Sequence, residues 1–275
     1  MKNLYLFFAR FVPQWGFSLR LIPFSKSRPA LKIPAVTTFI GALSYGLAKI
    51  LGWGENIKYG VSLLSSSEKI RKFVVSVNAR ILGIINPYSD INRIYWMYRG
   101  QIKFDAVALE KVYLSPDREE KPIIDSIFII NGKKAEQILG KNWKEFIESA
   151  LWIVPRIGQK ESLVSAIDVF YEEITEDKII KAGTISTSFY FPSAAAKSVN
   201  PAGSNADEYM LVEFVDHFRT QFGDYTDAPR IPYVIPYSKS HQKWINVNVT
   251  LSEEGLAIYS RKLDDYIIFL RRWVS

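Results

Sequence analysis

The chain has no cysteine. That excludes disulfides, thiolate metal sites and cysteine nucleophiles together, and it fits a reducing compartment. Histidine is nearly as scarce, with only His217 and His241, so chemistry built on imidazole has few candidates. Long hydrophobic runs are also missing. Leu4–Ala9 stops at Arg10, too soon for a signal-peptide core. The longest uncharged apolar stretch, Ile33 to Ala48, lies between Lys32 and Lys49 and contains Pro34, Thr37, Thr38 and Ser44. It falls short of the roughly 20 residues that a membrane span needs. The expectation is a soluble cytoplasmic protein without a membrane partner. No Gly-x-x-x-x-Gly-Lys-Ser/Thr or Gly-x-Gly-x-x-Gly motif occurs, so nucleotide hydrolysis has no support and no cofactor is expected.

The most informative absence is that of carboxylates before Glu55, across a segment that holds seven Lys or Arg. Residues 1–110 carry 15 basic and 5 acidic side chains, whereas residues 111–275 carry 20 and 23. The net charge of +7 therefore comes from the N-terminal part, which argues for a directional binding face. Arg20, Lys26, Arg28 and Lys32 crowd together among Trp15, Phe17, Phe24, Ser25 and Ser27. The strip then runs into an apolar helical pattern. Cations, aromatics and hydroxyls opening onto a helix N-terminus suit a polyanion backbone.

With 275 residues and 48 % apolar content, the chain can bury a sizeable core. Leu4–Phe8 reads as a buried strand and Phe17–Ile22 as an alternating, half-buried one. Phe39, Ile40, Leu43, Leu47, Ile50 and Leu51 give helical spacing over Thr37–Leu51, with Thr37 or Thr38 as cap and Gly52 as stop. The small residues Gly41, Ala42, Ser44 and Gly46 would let this helix lie close on a sheet. Phe73–Leu82 and Val107–Leu114 read as neighbouring strands. The insertion between them, about Gly83 to Phe104, has the aromatics and arginines of a protruding hairpin. Ile123–Ile130 follows as a strand, Lys133–Leu139 and Trp143–Leu151 as helices, then Ser162–Phe170 and Thr184–Phe191 as strands. Ala194–Asp207 has linker composition, Tyr209–Phe218 reads as a helix, and Trp244–Leu251 as a strand. The order fits an α+β, ferredoxin-like core (RRM-like) over residues 1–195, with a C-terminal region over 196–275.

Two blocks carry a resemblance. Trp15-Gly-Phe-Ser-Leu-Arg, Ser25-Lys-Ser-Arg-Pro and Ile33-Pro-Ala-Val-Thr-Thr-Phe-Ile-Gly-Ala-Leu form the first, and Arg156-Ile-Gly-Gln-Lys-Glu-Ser the second. Together they resemble the CRISPR-associated Cas-five family of the RAMP superfamily, most closely its archaeal I-A subtype. The resemblance covers about residues 1–195. It implies a non-catalytic, RNA-binding subunit of the type I surveillance complex, Cascade, acting in antiviral defence. Such a subunit grips the 5′ handle of CRISPR RNA within a ribonucleoprotein complex. Its partners would be CRISPR RNA, the backbone and large subunits and, through the complex, target DNA. The insertion takes the place of the family's thumb-like β-hairpin, so Arg93, Tyr95, Trp96, Tyr98 and Arg99 become partner contacts.

The residue chemistry supports the same reading. Arg20, Lys26 and Arg28 would follow phosphates, Trp15 or Phe17 would offer a face to bases, and Ser25, Ser27, Thr37 and Thr38 would serve as small donors. Arg156, Lys160 and Ser162 join them through the resemblance. Each has a plainer alternative: Trp15 and Phe17 as core aromatics, the threonines as caps, and Arg156–Ser162 as a β-turn with Gly158 at positive φ.

The rival reading is a metal-independent endoribonuclease that processes CRISPR repeat RNA. It would need an acid–base histidine. His217 lies beside Asp216, and His241 is accompanied by Tyr237, Lys239 and Lys243. No catalytic residue is assigned. The acidic pairs Asp264-Asp265, Glu253-Glu254 and Glu172-Glu173 lack metal-ligand spacing, so no metal is expected.

Overall fold

The computed structural model of the chain describes residues 3–19, 27–28, 31–54, 56–59, 62–117, 120–201, 209–219 and 228–274. The first part runs β1 (Leu4–Pro13), α1 (Val36–Leu51), β2 (Val74–Leu82), β3 (Ile84–Tyr98), β4 (Gln101–Ser115), β5 (Ile123–Asn131), α2 (Gly132–Leu139), α3 (Trp143–Trp152) and β6 (Val164–Ile174). Four of these strands form an antiparallel sheet in the order β6-β1-β5-β2. Central β1 is apolar at nearly every position because both of its faces are covered.

The helices cover one face. Tyr5 and Phe7 of β1 meet Trp143 of α3 at ring-centroid distances of 5.0 and 5.9 Å. Alternate residues of the same strands point the other way and meet the C-terminal region. There Asn78 donates to the carbonyls of Tyr190 and Ile268, both at 2.8 Å. Arg10, Asp125 and Arg80 lie side by side across three strands of this second face. Arg10 donates to both oxygens of Asp125 at 2.8 and 2.9 Å, and Arg80 donates to Asp125 at 2.9 Å and to Asp265 at 3.2 Å. A buried carboxylate is tolerable here because two guanidinium groups saturate it.

Among the described residues the C-terminal region consists of strands and short 3₁₀ turns, and its pairing crosses the boundary expected at residue 195. Thr184–Thr187 and Ala196–Pro201 flank Val247–Leu251, and Ile179–Ile180 pairs with Gly255–Ser260. The presumed linker is thus partly a sheet strand, and the later layer starts near Ile179. Tyr209–Phe218 is likewise not a helix. Met210–Val215 is a strand paired with Arg230–Ile235. Leu211, which a helix would have buried with its apolar neighbours, is 62 % exposed while Phe214 is buried. A short apolar run fits either period, and here cross-strand pairing wins.

The hairpin is longer than the expected insertion. β3 and β4 have 15 residues each, pair from Ile84↔Ser115 to Tyr98↔Gln101, and turn through Arg99 (φ 50°) and Gly100 (φ 73°). Two adjacent positive φ values are what a two-residue hairpin turn requires. Val107–Leu114, expected as a core strand, is its return arm.

Candidate nucleic-acid interface

Helix α1 builds one wall of the site. Ala35 is extended (φ −70°, ψ 159°) and occupies the cap position without a side-chain cap, so neither Thr37 nor Thr38 caps the helix. Both lie inside its first turn, which has no acidic residue. The Thr38 and Phe39 N–H groups donate to the Ala35 carbonyl at 3.0 and 3.5 Å, and the turn presents the favourable end of the helix dipole to anions. Val36, Phe39, Ile40, Leu43 and Leu47 face the core. Thr37, Thr38, Gly41, Ala42 and Tyr45 form the opposite stripe. Gly46 packs tightly, but against α3 and not the sheet: an added Cβ would lie 2.3 Å from the Ala150 carbonyl oxygen. Ser44 is buried and shares a 3.0 Å hydrogen bond with Ser66.

The second wall is the loop after α3. Arg156 bridges to Leu163, and the Ile157 N–H donates to Ser162 while the Ser162 N–H donates to Gln159, each at 3.0 Å. Gly158 closes this turn at φ +111°, as its β-turn alternative required. The loop is clamped to the N-terminal segment. The Ser18 N–H donates to Ser162 Oγ at 3.1 Å, the Gln159 N–H to the Ser18 carbonyl at 3.4 Å, and Trp15 Nε1 to the Glu161 carbonyl at 2.7 Å.

Between the two walls lies a groove of about 580 Å³, lined by Leu19, Thr37, Thr38, Gly41, Ala42, Tyr45, Pro155, Arg156, Gly158 and Gln159. None of these ten is acidic. The two sequence blocks, more than 110 residues apart, thus meet in one place. Thr37, Thr38 and Arg156 line the groove, and Lys160 is exposed on the same loop. Ser162 is fully buried and serves as an anchor. Phe17 is 0 % exposed, which closes its ring to a base and leaves it the core role. Trp15 is half-buried, tied to Glu161 and tilted on Tyr113 at 5.3 Å. Arg20, Ser25 and Lys26 lie outside the described residues. Ser27–Arg28 forms a short strand parallel to Ala108–Leu109 of the hairpin. Tyr45 and Gln159 were missed by motif reading. The signal that finds Tyr45 is its spacing of seven from Thr38 on one helix face.

The hairpin places its aromatics in solvent. Tyr95 is 65 % and Trp96 42 % exposed, and Tyr98 has the Arg99 and Lys103 cations 5.2 and 4.9 Å from its ring centre. Arg93 is exposed on the same arm.

The histidines sit elsewhere. His217 is enclosed against Phe218 and Trp273 with neither ring nitrogen hydrogen-bonded. Burial, reinforced by Arg71, pulls its pKa down to about 3. His241 is on the turn between Tyr237–Ser238 and Lys243–Trp244, with Nδ1 at 3.1 Å from both Ser238 and Ser240 hydroxyls. Tyr237, its expected companion, is buried. No group of three or more metal-ligating side chains occurs among the described residues, and no helix there is long and apolar enough to cross a membrane.

No family model matches the chain. It is similar to a "CRISPR system aCascade subunit Cas5 1" of Saccharolobus solfataricus, 27 % identical over 183 residues, covering 64 % of this chain and 68 % of the relative. A "CRISPR-associated protein Cas5 2" of the same organism is 26 % identical over 215 residues, covering 73 % and 70 %. These similarities support the Cas5 family. A CRISPR protein from Archaeoglobus fulgidus, known from its crystal structure, shares the fold with a TM-score of 0.59 and 21 % identity, covering 96 % of this chain and 98 % of that one.

Proposed function

We propose that this chain is a non-catalytic, RNA-binding subunit of a type I CRISPR Cascade complex, of the I-A kind, that holds the 5′ handle of CRISPR RNA. The observation that carries the reading is the convergence of the two blocks in one acid-free groove. The uncapped first turn of α1 and the Arg156–Lys160 loop approach it from opposite sides. Backbone N–H groups, hydroxyls and a guanidinium around such a groove fit a single-stranded phosphate backbone. The β6-β1-β5-β2 order, with helices after β1 and β5, is read as a ferredoxin-like core. The β3–β4 hairpin is read as a thumb whose exposed rings meet the backbone subunits and guide. The relative named as an aCascade subunit supports membership of a complex.

The test is handle-RNA binding as a function of salt. Replacing Lys26, Arg28 and Arg156 with Ala should weaken binding and flatten the log–log salt slope by about 2, since each single-strand phosphate contact contributes about 0.7. An unchanged slope would remove phosphate recognition from this face. Incubation with labelled repeat RNA in EDTA tests the catalytic alternative. A discrete product abolished by His241→Ala would replace the binding reading with an endoribonuclease.

A further inference from the structure

Phosphate contacts leave two groove residues without a task. Tyr45 lies on the half-buried stripe of α1 that lines the groove, and the stripe beside it is empty: a Cβ added at Gly41 would meet nothing within 4 Å. An open face next to a half-buried ring is a place for a flat ligand. Across the groove, Gln159 is held by its backbone on both sides, donating to Ser18 at 3.4 Å and accepting from Ser162 at 3.0 Å. Its side-chain amide makes no hydrogen bond to another described residue. A volume of about 580 Å³ is that of a small-molecule site, commonly about 300–1,000 Å³. It suits one unstacked base and is too small for a duplex.

We propose that this groove is a base-reading subsite that takes one unpaired adenine of a bound RNA, with Tyr45 under its ring and Gln159 on its edge. The proposal rests on the RNA-binding reading above and adds sequence readout to it. The amide of glutamine sets a donor beside an acceptor, and its recurring bidentate partner is the N6 and N7 edge of adenine. Stacking on tyrosine is indifferent to base identity, because every base has a π-face. Tyr45 therefore supplies affinity and Gln159 supplies choice. Lys49, whose ammonium lies 5.4 Å from the Tyr45 ring centre, adds positive charge beside that ring.

The two roles separate in a binding assay on the full chain with fluorescein-labelled oligo(A) and oligo(U) octaribonucleotides over a range of salt. The wild type should prefer oligo(A) by about five-fold or more, the lower end of what a bidentate base pair discriminates. Gln159→Ala and Gln159→Leu should abolish that preference by weakening oligo(A) alone. Tyr45→Leu should weaken both RNAs about five-fold while the preference persists, and Tyr45→Phe should behave as wild type. None of the four should change the salt slope. Salt-dependent binding without preference for oligo(A), a preference that survives both Gln159 variants, or an inert Tyr45→Leu would overturn the base subsite alone. Absence of salt-dependent binding in the wild type would overturn the phosphate reading as well.

Discussion

Two glycines ten ångströms of helix or less apart make a stringent test of how the groove is held open. Gly46 and Gly41 lie in the same helix, so Gly→Ala brings each the same propensity gain, about 1 kcal/mol at an exposed interior site. Their surroundings differ completely. At Gly46 the new Cβ would lie 2.3 Å from the Ala150 carbonyl oxygen and 2.9 Å from both its carbonyl carbon and Cα. The obstacle is backbone, so no side chain can swing aside, and α1 must move away from α3. Overpacking of this kind costs about 1–3 kcal/mol, and a backbone obstacle belongs at the upper end. The net for Gly46→Ala is a loss of about 1–2 kcal/mol. Gly41→Ala meets nothing within 4 Å and should gain up to about 1 kcal/mol. Urea unfolding followed by far-UV circular dichroism should thus separate the variants by about 2–3 kcal/mol, with opposite signs relative to wild type. The Gly46 variant should also bind RNA more weakly, because α1 carries one groove wall and α3 leads into the other. If Gly46→Ala proved as stable as Gly41→Ala, the close α1–α3 contact would not be what sets the groove.

The buried polar groups give two more outcomes. His217 has its folded pKa near 3, below the unfolded value of about 6.5, so the unfolded chain takes up the proton first as pH falls. Stability present above pH 6.5 is lost toward pH 3 at about 1.4 kcal/mol per unit, or about 2 kcal/mol by pH 5. His217→Phe should remove that portion of the acid sensitivity in urea titrations at pH 7.5 and 5, and equal losses in both proteins would refute the assignment. Asp125→Ala strands Arg10 and Arg80 beside a carboxylate site that is 0 % exposed. It should cost about 3–5 kcal/mol in the same assay; a loss under about 1 kcal/mol would mean that the triad contributes little.

Much of the core was legible because its signals are local. The apolar stripe of α1, the continuous hydrophobic run of β1 and the Gly52 stop each depend on a few neighbouring residues, and the observed helix Val36–Leu51 with left-handed Gly52 follows them. The misses share one cause. Val107–Leu114 looks the same whether it pairs in the core sheet or with Ile85–Asn92 across a turn, and Met210–Val215 looks the same as helix or strand until Arg230–Ile235 is beside it. The three prolines Pro229, Pro232 and Pro236 argue against a strand there, yet Pro232 sits opposite Glu213 in the middle strand of three, and on its other side Phe191–Pro192 pairs only with Tyr233 and Val234, short of the proline. Pairing partners distant in sequence decide such runs, and single-segment patterns do not contain them.

For the site, the two motif blocks meet in one groove, but the structure turns some of their side chains in directions that a strand pattern does not give. Alternation would put Phe17 and Leu19 on one face, but the strand is only Gly16–Phe17 long, so Phe17 enters the core while Leu19, beyond its end, turns toward Gly158 and the groove. Serine in a motif has the same ambiguity. Ser162 could face a ligand or hold its own chain, and its hydrogen bond to the Ser18 N–H makes it the clasp between the two blocks. Tyr45 and Gln159 escaped because neither is charged, and a search led by cations passes over neutral residues. The helix period gives a better rule. Once Thr38 is placed opposite the core stripe of α1, positions three, four and seven residues on must share its face. Those positions are Gly41, Ala42 and Tyr45. Of these half-buried residues only Ala42 packs against the core cluster, so core packing does not explain Gly41 and Tyr45. A stripe that packing leaves unexplained is where a ligand belongs.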